Sequence, residues 1–256
     1  MTHAERRAAL EAVAAEVRTC TSCRLHEGRT NAVPGEGHPD TEVVFVGEGP
    51  GFNEDRLGRP FVGRAGDLLG KLLGSIEWPR QDVIITNVVK CRPPDNRDPE
   101  PDEVAACAPY LRRQLEVIDP ALVVTLGRHS MARFVPNARI SQVHGTTAPV
   151  DPATGARDAT VLAMYHPAAA LRKPAIERES FADIGVAPKV LLEARARRAA
   201  TSSAAPVGLD DAPPEPAETT TSATNAGRGA AEADAVGVGS SASAAAPVPA
   251  ADLTIF

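Results

Sequence analysis

Four cysteines are the residues of this 256-residue chain whose spacing first points to chemistry. Cys20 and Cys23 form C-x2-C, and after a long gap Cys91 and Cys107 form C-x15-C. Thiolates two residues apart can grip one metal centre, and four complete either a tetrahedral zinc site or an iron–sulfur cluster. Spacing leaves both open, because the wide second pair matches neither common template. The N-terminal stretch MTHAERRAALEAVAAEV has no apolar signal core, and nowhere do eighteen apolar residues run together. The chain is therefore expected in the cytoplasm, where a disulfide is the weaker explanation for the thiols. A second unusual stretch is GEGPGFNEDRLGRPFVGRAG, residues 47–66, with six glycines directly after the apolar run Glu42 to Val46. Two glycine motifs are excluded there. Gly66-Asp67-Leu68-Leu69-Gly70-Lys71-Leu72 is one residue short of a P-loop and has Leu72 in place of the magnesium-binding hydroxyl, and Gly47-Glu48-Gly49 runs on to Phe52 where a dinucleotide fingerprint needs glycine.

Four short β-branched runs must position these groups: Glu42 to Val46, Val83 to Thr86, Ala121 to Leu126 and Thr160 to Met164. Helical spacing falls before and between them, over Glu5 to Val17, Ala65 to Leu73 and Pro101 to Ile118. Near-continuous apolar strands alternating with helices predict a parallel sheet covered on both faces, a three-layer α/β/α sandwich. Ligands collect at the carboxyl ends of such strands. The uncommon segments follow the strands in order: GEGPG, TNVVKCRPP, GRHS and YHPAAAL. The metal centre would tie the N-terminal helix to the connection after the second strand, so its first role is structural.

Charge and composition divide the chain near residue 200. Of 27 basic and 33 acidic side chains, one and seven lie in residues 201–256, so residues 1–200 balance at 26 of each and a local basic face remains available. Residues 201–256 are Ala, Ser, Thr, Pro and Gly with scattered acids, a composition that buries too little apolar surface to offset its ordering entropy. A disordered acidic tail is expected there, following one domain over residues 1–200. Its end, Asp252-Leu253-Thr254-Ile255-Phe256, resembles the short peptides that bind bacterial sliding clamps, with Asp where those usually carry Gln.

In combination, several motifs resemble the family 4 uracil-DNA glycosylases, iron–sulfur members of the uracil-DNA glycosylase superfamily. They are Gly47-Glu48-Gly49-Pro50-Gly51, Glu54-Asp55, Gly58 to Gly66, Thr86 to Pro94, and His166-Pro167 with Leu171. The likeness spans roughly residues 15 to 198, includes the cysteine pattern and leaves out the tail. It implies a four-iron four-sulfur cluster held by Cys20, Cys23, Cys91 and Cys107, a central four-stranded parallel sheet and removal of uracil from DNA; a monomer with no membrane partner is expected.

The resemblance also gives individual residues tasks that their chemistry suits. An enzyme that attacks the glycosidic bond of a stacked, paired uracil must extrude the nucleotide into a pocket. Gly47, Gly49 and Gly51 carry no Cβ, can take positive φ, and can bring backbone amides against a phosphate, sugar or base, with Pro50 stiffening the turn. Asn87 presents an acceptor for uracil N3–H and a donor for O4, the reverse of what cytosine needs. Phe61 stacks on the base. His166 donates a hydrogen bond to uracil O2 as negative charge grows on the departing base. Glu48 positions the attacking water and favours the sugar cation, while Glu54 and Asp55 support the loop or begin a helix. Arg64, Arg92, Arg172 and Lys173 are candidate phosphate contacts, and Leu171 a candidate wedge for the gap left by the flipped base.

Two other readings compete. A uracil-DNA capturing protein of the same superfamily uses a histidine in a basic insert beyond the second-strand motif, where this chain reads KCRPPDNRDPEPDE and has none. A non-catalytic iron–sulfur protein would leave GEGPG, Asn87 and His166 without a task.

Overall fold

The computed structural model describes residues 1–203. In chain order its first elements are α1 (His3–Thr19), α2 (Leu25–Gly28), β1 (Glu36–Gly37), β2 (Val43–Gly47), α3 (Phe52–Leu57), α4 (Arg64–Ser75) and β3 (Ile84–Asn87). Then come α5 (Pro101–Ile118), β4 (Leu122–Leu126), α6 (Arg128–Phe134), α7 (Ile140–Val143), β5 (Thr147–Pro149) and β6 (Thr160–Met164). The last are α8 (Pro167–Ala170), α9 (Pro174–Gly185) and α10 (Ala187–Ser203). Helix α10 thus carries the folded part three residues past the composition boundary. The remainder of the expected tail, with its terminal peptide, lies outside the described residues.

Every residue of β2, β3, β4 and β6 is buried, as strands covered on both faces require. Their side chains alternate between two cores. Val44, Val46, Ile84, Val123 and Val161 face α1 and α5, where Leu10, Val13, Leu111 and Leu115 meet them. Val43, Phe45, Ile85, Val124 and Leu162 face the opposite way, onto Leu69 and Leu72 of α4, Ile184 of α9 and Val190 of α10. Helix α1 is started by a capping box in which the Thr2 hydroxyl accepts from Glu5 N–H and the Glu5 carboxylate accepts from Thr2 N–H at 2.8 Å.

The sheet corrects the expected four-stranded parallel architecture. It has six strands in the order β1-β3-β2-β4-β6-β5 and is mixed, because β1 pairs with β3 and β5 with β6 antiparallel. Both added strands are edges of two and three residues without a β-branched run, so neither has a periodic signal of its own. Backbone approach decides them. A Cβ on Gly37 would lie 1.9 Å from the Val83 carbonyl oxygen, which only glycine at φ 138° avoids. The four inner strands run parallel, so the carboxyl ends of β2, β3, β4 and β6 share one rim. Gly47 and Asn87 are register partners at that rim. No helix among the described residues is long and apolar enough to cross a membrane.

Candidate active site

A cavity of about 600 Å³ opens at this rim, and Glu48, Phe61, Asn87 and His166 all line it. Its floor depends on Gly47. A Cβ there would stand 2.4 Å from Asn87 Oδ1 and 2.7 Å from the Phe61 ring, so the two side chains occupy the space that any larger residue would need. This corrects one expectation: Gly47, Gly49 and Gly51 are not among the positive-φ glycines, and close approach rather than backbone handedness selects glycine at 47. Phe61 itself has φ 49°, and its carbonyl presses on Gly66, where a Cβ would come within 1.8 Å. The ring is thereby held as a buried wall.

Asn87 is 1% exposed, and its Oδ1 has no hydrogen-bond partner. A buried amide oxygen left unpaired costs about 1–3 kcal/mol, so it reads as an acceptor held ready for a ligand. Opposite it, His166 packs its ring 5.7 Å from that of Phe61. His166 Nδ1 accepts the Ala168 N–H at 3.1 Å, which leaves the ring proton on Nε2. Burial pushes the imidazole pKa down from 6.5 to about 4, against a raising influence from Glu54 and with a small lowering one from His129. The neutral Nε2–H tautomer is therefore the form present at neutral pH.

Glu48 is half-buried, and desolvation raises its pKa above the ordinary carboxylate value, with His129 opposing and Asp98 reinforcing the rise. Three groups absent from the sequence-based site surround it. His129 Nε2 lies 3.8 Å from Glu48 Oε2 and 3.2 Å from Asp98 Oδ1, while Arg128 pairs with Asp98 and holds its carboxyl below the usual range. GRHS was visible as an uncommon strand end, but nothing in it announced that His129 would meet a carboxylate from the loop after β2. Tyr165 was also missed. It lines the cavity and stacks on His144 at 4.5 Å, whose Nδ1 meets Asp183 Oδ2 at 2.9 Å.

Glu54 and Asp55 are structural. Glu54 Oε1 accepts the Val62 and Gly63 N–H groups at 2.9 Å each and Oε2 accepts Gly51 N–H at 3.1 Å, which ties both ends of the glycine-rich loop together. Asp55 is buried and accepts from Thr30 N–H at 2.8 Å. Of the candidate DNA contacts, Arg172 lines the cavity; Leu171 beside it is 38% exposed and Lys173 is exposed. Arg64 is exposed next to the cavity-lining Ala65, and Arg92 is half-buried against Asn96.

The four cysteines converge on a second, small void that Arg29 and Tyr110 also line. All are free thiols. Ser22 N–H donates to Cys20 Sγ at 3.4 Å, Arg29 Nη1 to Cys91 Sγ at 3.1 Å and Lys90 N–H to Cys107 Sγ at 3.2 Å. Burial pushes the Cys91 thiol up and Cys107 to about 11, so a metal centre must displace their protons. Among the described residues, the one group of three ligand-type side chains with donor atoms all within 4.8 Å of one another is Glu48, Asp98 and His129. Lys90 joins the two sites. Fully buried, its Nζ donates to Thr86 Oγ1 at 2.6 Å, Gln114 Oε1 at 2.6 Å and the Asn87 carbonyl at 2.9 Å, and burial pushes its pKa down to about 8 against a raising influence from Cys107.

A mixed sheet with a cavity at the carboxyl rim of its parallel inner strands defines an α/β protein with a small-ligand pocket, and comparison with known proteins specifies which kind. The family model for the uracil DNA glycosylase superfamily matches residues 34–184. A type-4 uracil-DNA glycosylase from Sulfurisphaera tokodaii is 49% identical over 175 residues, covering 66% of this chain and 79% of the relative. One from Archaeoglobus fulgidus is 47% identical over 180 residues, covering 68% and 89%, and one from Thermotoga maritima is 48% identical over 163, covering 64% and 83%. The chain belongs to the type-4 uracil-DNA glycosylases of this superfamily.

Proposed function

We propose that this chain flips uracil out of DNA into the rim cavity and hydrolyses its N-glycosidic bond, the activity that its family membership carries. One observation supports the residue roles best: Asn87 places an unpaired, buried acceptor in the cavity that Glu48, Phe61 and His166 also line. Uracil N3–H satisfies that oxygen, whereas cytosine, with an acceptor at N3, leaves it unpaired at a cost of about 1–3 kcal/mol. Phe61 stacks on the base. As the C1′–N1 bond breaks, its electron pair stays with uracil, and the His166 Nε2–H donates to O2 where the charge accumulates. Glu48, ionised, stabilises the sugar cation and takes a proton from the water that adds at C1′, leaving an abasic site and free uracil. His129 stands 3.8 Å from the Glu48 carboxylate and Asp98 close behind it, so both bear on its charge.

The same reading assigns Cys20, Cys23, Cys91 and Cys107 to a four-iron four-sulfur cluster. The convergence of the four thiols on one void and the N–H groups aimed at three of the sulfurs support such a centre, and the family resemblance favours the cluster over a single zinc. Bound there, the cluster supplies a cross-link between the segment after α1 and the start of α5. Residues 1–200 form the glycosylase domain in this reading, and Asp252 to Phe256 dock on a sliding clamp.

Purified protein incubated with a uracil-containing oligonucleotide should yield alkali-labile abasic sites, and Asn87→Asp should abolish excision or relax the choice of uracil over cytosine. Unaltered selectivity in that variant contradicts the role given to Asn87. Removal of residues 204–256 should weaken clamp binding, and equal binding by both forms sinks the tail assignment alone.

A further inference from the structure

We propose that Phe52 and Arg92 form a platform on which a base flanking the extruded nucleotide stacks, an inference that rests on the glycosylase reading above. Phe52 is the first residue of α3 and is 58% exposed. It directly follows Gly51, which lines the cavity. The Arg92 guanidinium lies over that ring, 5.2 Å from its centroid, and Arg92 Nε donates at 2.7 Å to Oδ1 of Asn96, another cavity-lining residue. The aromatic plate at the start of α3 and its cation from the segment after β3 thus meet, each next to a cavity-lining residue, Gly51 and Pro93.

Charge separates Arg92 from its neighbours. Arg97 is neutralised by Glu103 at 2.6 Å and Arg128 by Asp98, whereas Arg92 is met by a neutral amide and a ring. An unneutralised guanidinium beside an exposed aromatic surface matches the two parts of a nucleotide, a phosphate and a base with a π-face. Flipping one nucleotide strips both neighbouring bases of a stacking partner. Leu171, beside cavity-lining Arg172, is placed to fill the vacated position, and Phe52, reached through the glycine-rich loop, offers a replacement face to the adjoining base.

The test uses the full holoprotein and an oligonucleotide carrying 2′-fluoro-deoxyuridine, whose destabilised sugar cation blocks cleavage. 2-Aminopurine is placed on the 5′ or the 3′ side of it. With the wild type, one of the two probes should stay quenched in the complex. In Phe52→Ala and Phe52→Leu that probe should brighten and binding weaken about tenfold, and Phe52→Trp should restore both. Arg92→Gln should lower the slope of log K against log salt concentration by about one. Probes bright at both flanks with the wild type, or quenching and affinity unchanged in Phe52→Ala, overturn the platform. A wild type that releases no uracil from the ordinary substrate overturns the glycosylase reading instead.

Discussion

His166 should stay neutral across the range in which histidines ordinarily titrate, and this is open to a direct test. Its pKa falls from the ordinary 6.5 to about 4, chiefly because burial disfavours the imidazolium, with Glu54 and His129 the titratable neighbours that act on it. At pH 6 about 1% of molecules would carry the charge, against about three quarters for an unperturbed histidine. The sign for stability follows from the depressed value. The unfolded chain takes up the proton first, so stability is fully present above pH 6.5 and is lost as pH falls toward 4. The gap between those values corresponds to about 3 kcal/mol at 1.36 kcal/mol per pH unit, of which about 1 kcal/mol is lost between pH 7 and 5.5. Ring ¹⁵N spectra of the holoprotein should show one histidine, identified by its loss in His166→Gln, with Nε2 protonated, Nδ1 bare and no shift from pH 8 to 5.5. Unfolding free energies from urea titrations should fall between pH 7 and 5.5 by about 1 kcal/mol more in the wild type than in His166→Gln. A His166 resonance that titrates near 6.5, or stability curves that run parallel, refutes both the buried tautomer and its use as a neutral donor.

Glu48→Gln should lower single-turnover excision by about a hundredfold or more while affinity for uracil-containing DNA hardly changes. Because burial raises the Glu48 pKa, wild-type activity should be lost, as pH falls, at a higher pH than an ordinary carboxylate would give; a rate flat down to the usual carboxylate range argues against this base. Gly47→Ala puts a methyl group 2.4 Å from Asn87 Oδ1, so it should cost about 1–3 kcal/mol in urea unfolding and most of the excision rate; wild-type values in both would show the floor to be pliable. Cys107→Ser should lose iron and absorbance and unfold at lower temperature, and full iron content in that variant removes Cys107 from the ligand set.

Legibility in the sequence followed the range of the interactions. The four inner strands were readable to within a residue or so because each is buried on both faces and therefore apolar throughout, and α5 because its apolar positions recur at helical spacing over eighteen residues. The edges β1 and β5 were not, since two or three residues carry no period and their pairing depends on which backbone lies alongside. The site divides in the same way. Glu48, Asn87 and His166 stand at the ends of readable strands, so parallel order alone gathers them. His129, Asp98 and Tyr165 enter through side-chain reach across loops, which no local pattern encodes.

Motif and spacing thus determined the family and the pattern of four cysteines, because those are properties of residue type and order along one chain. Tertiary structure alone decided how the groups are tuned. A lysine written TNVVKC looks like a surface cation, and only the packing of α5 against β3 buries Lys90 between Gln114, the Asn87 carbonyl and Cys107. Protonation state, tautomer and close approach depend on distance and burial, and those exist only once the chain has folded.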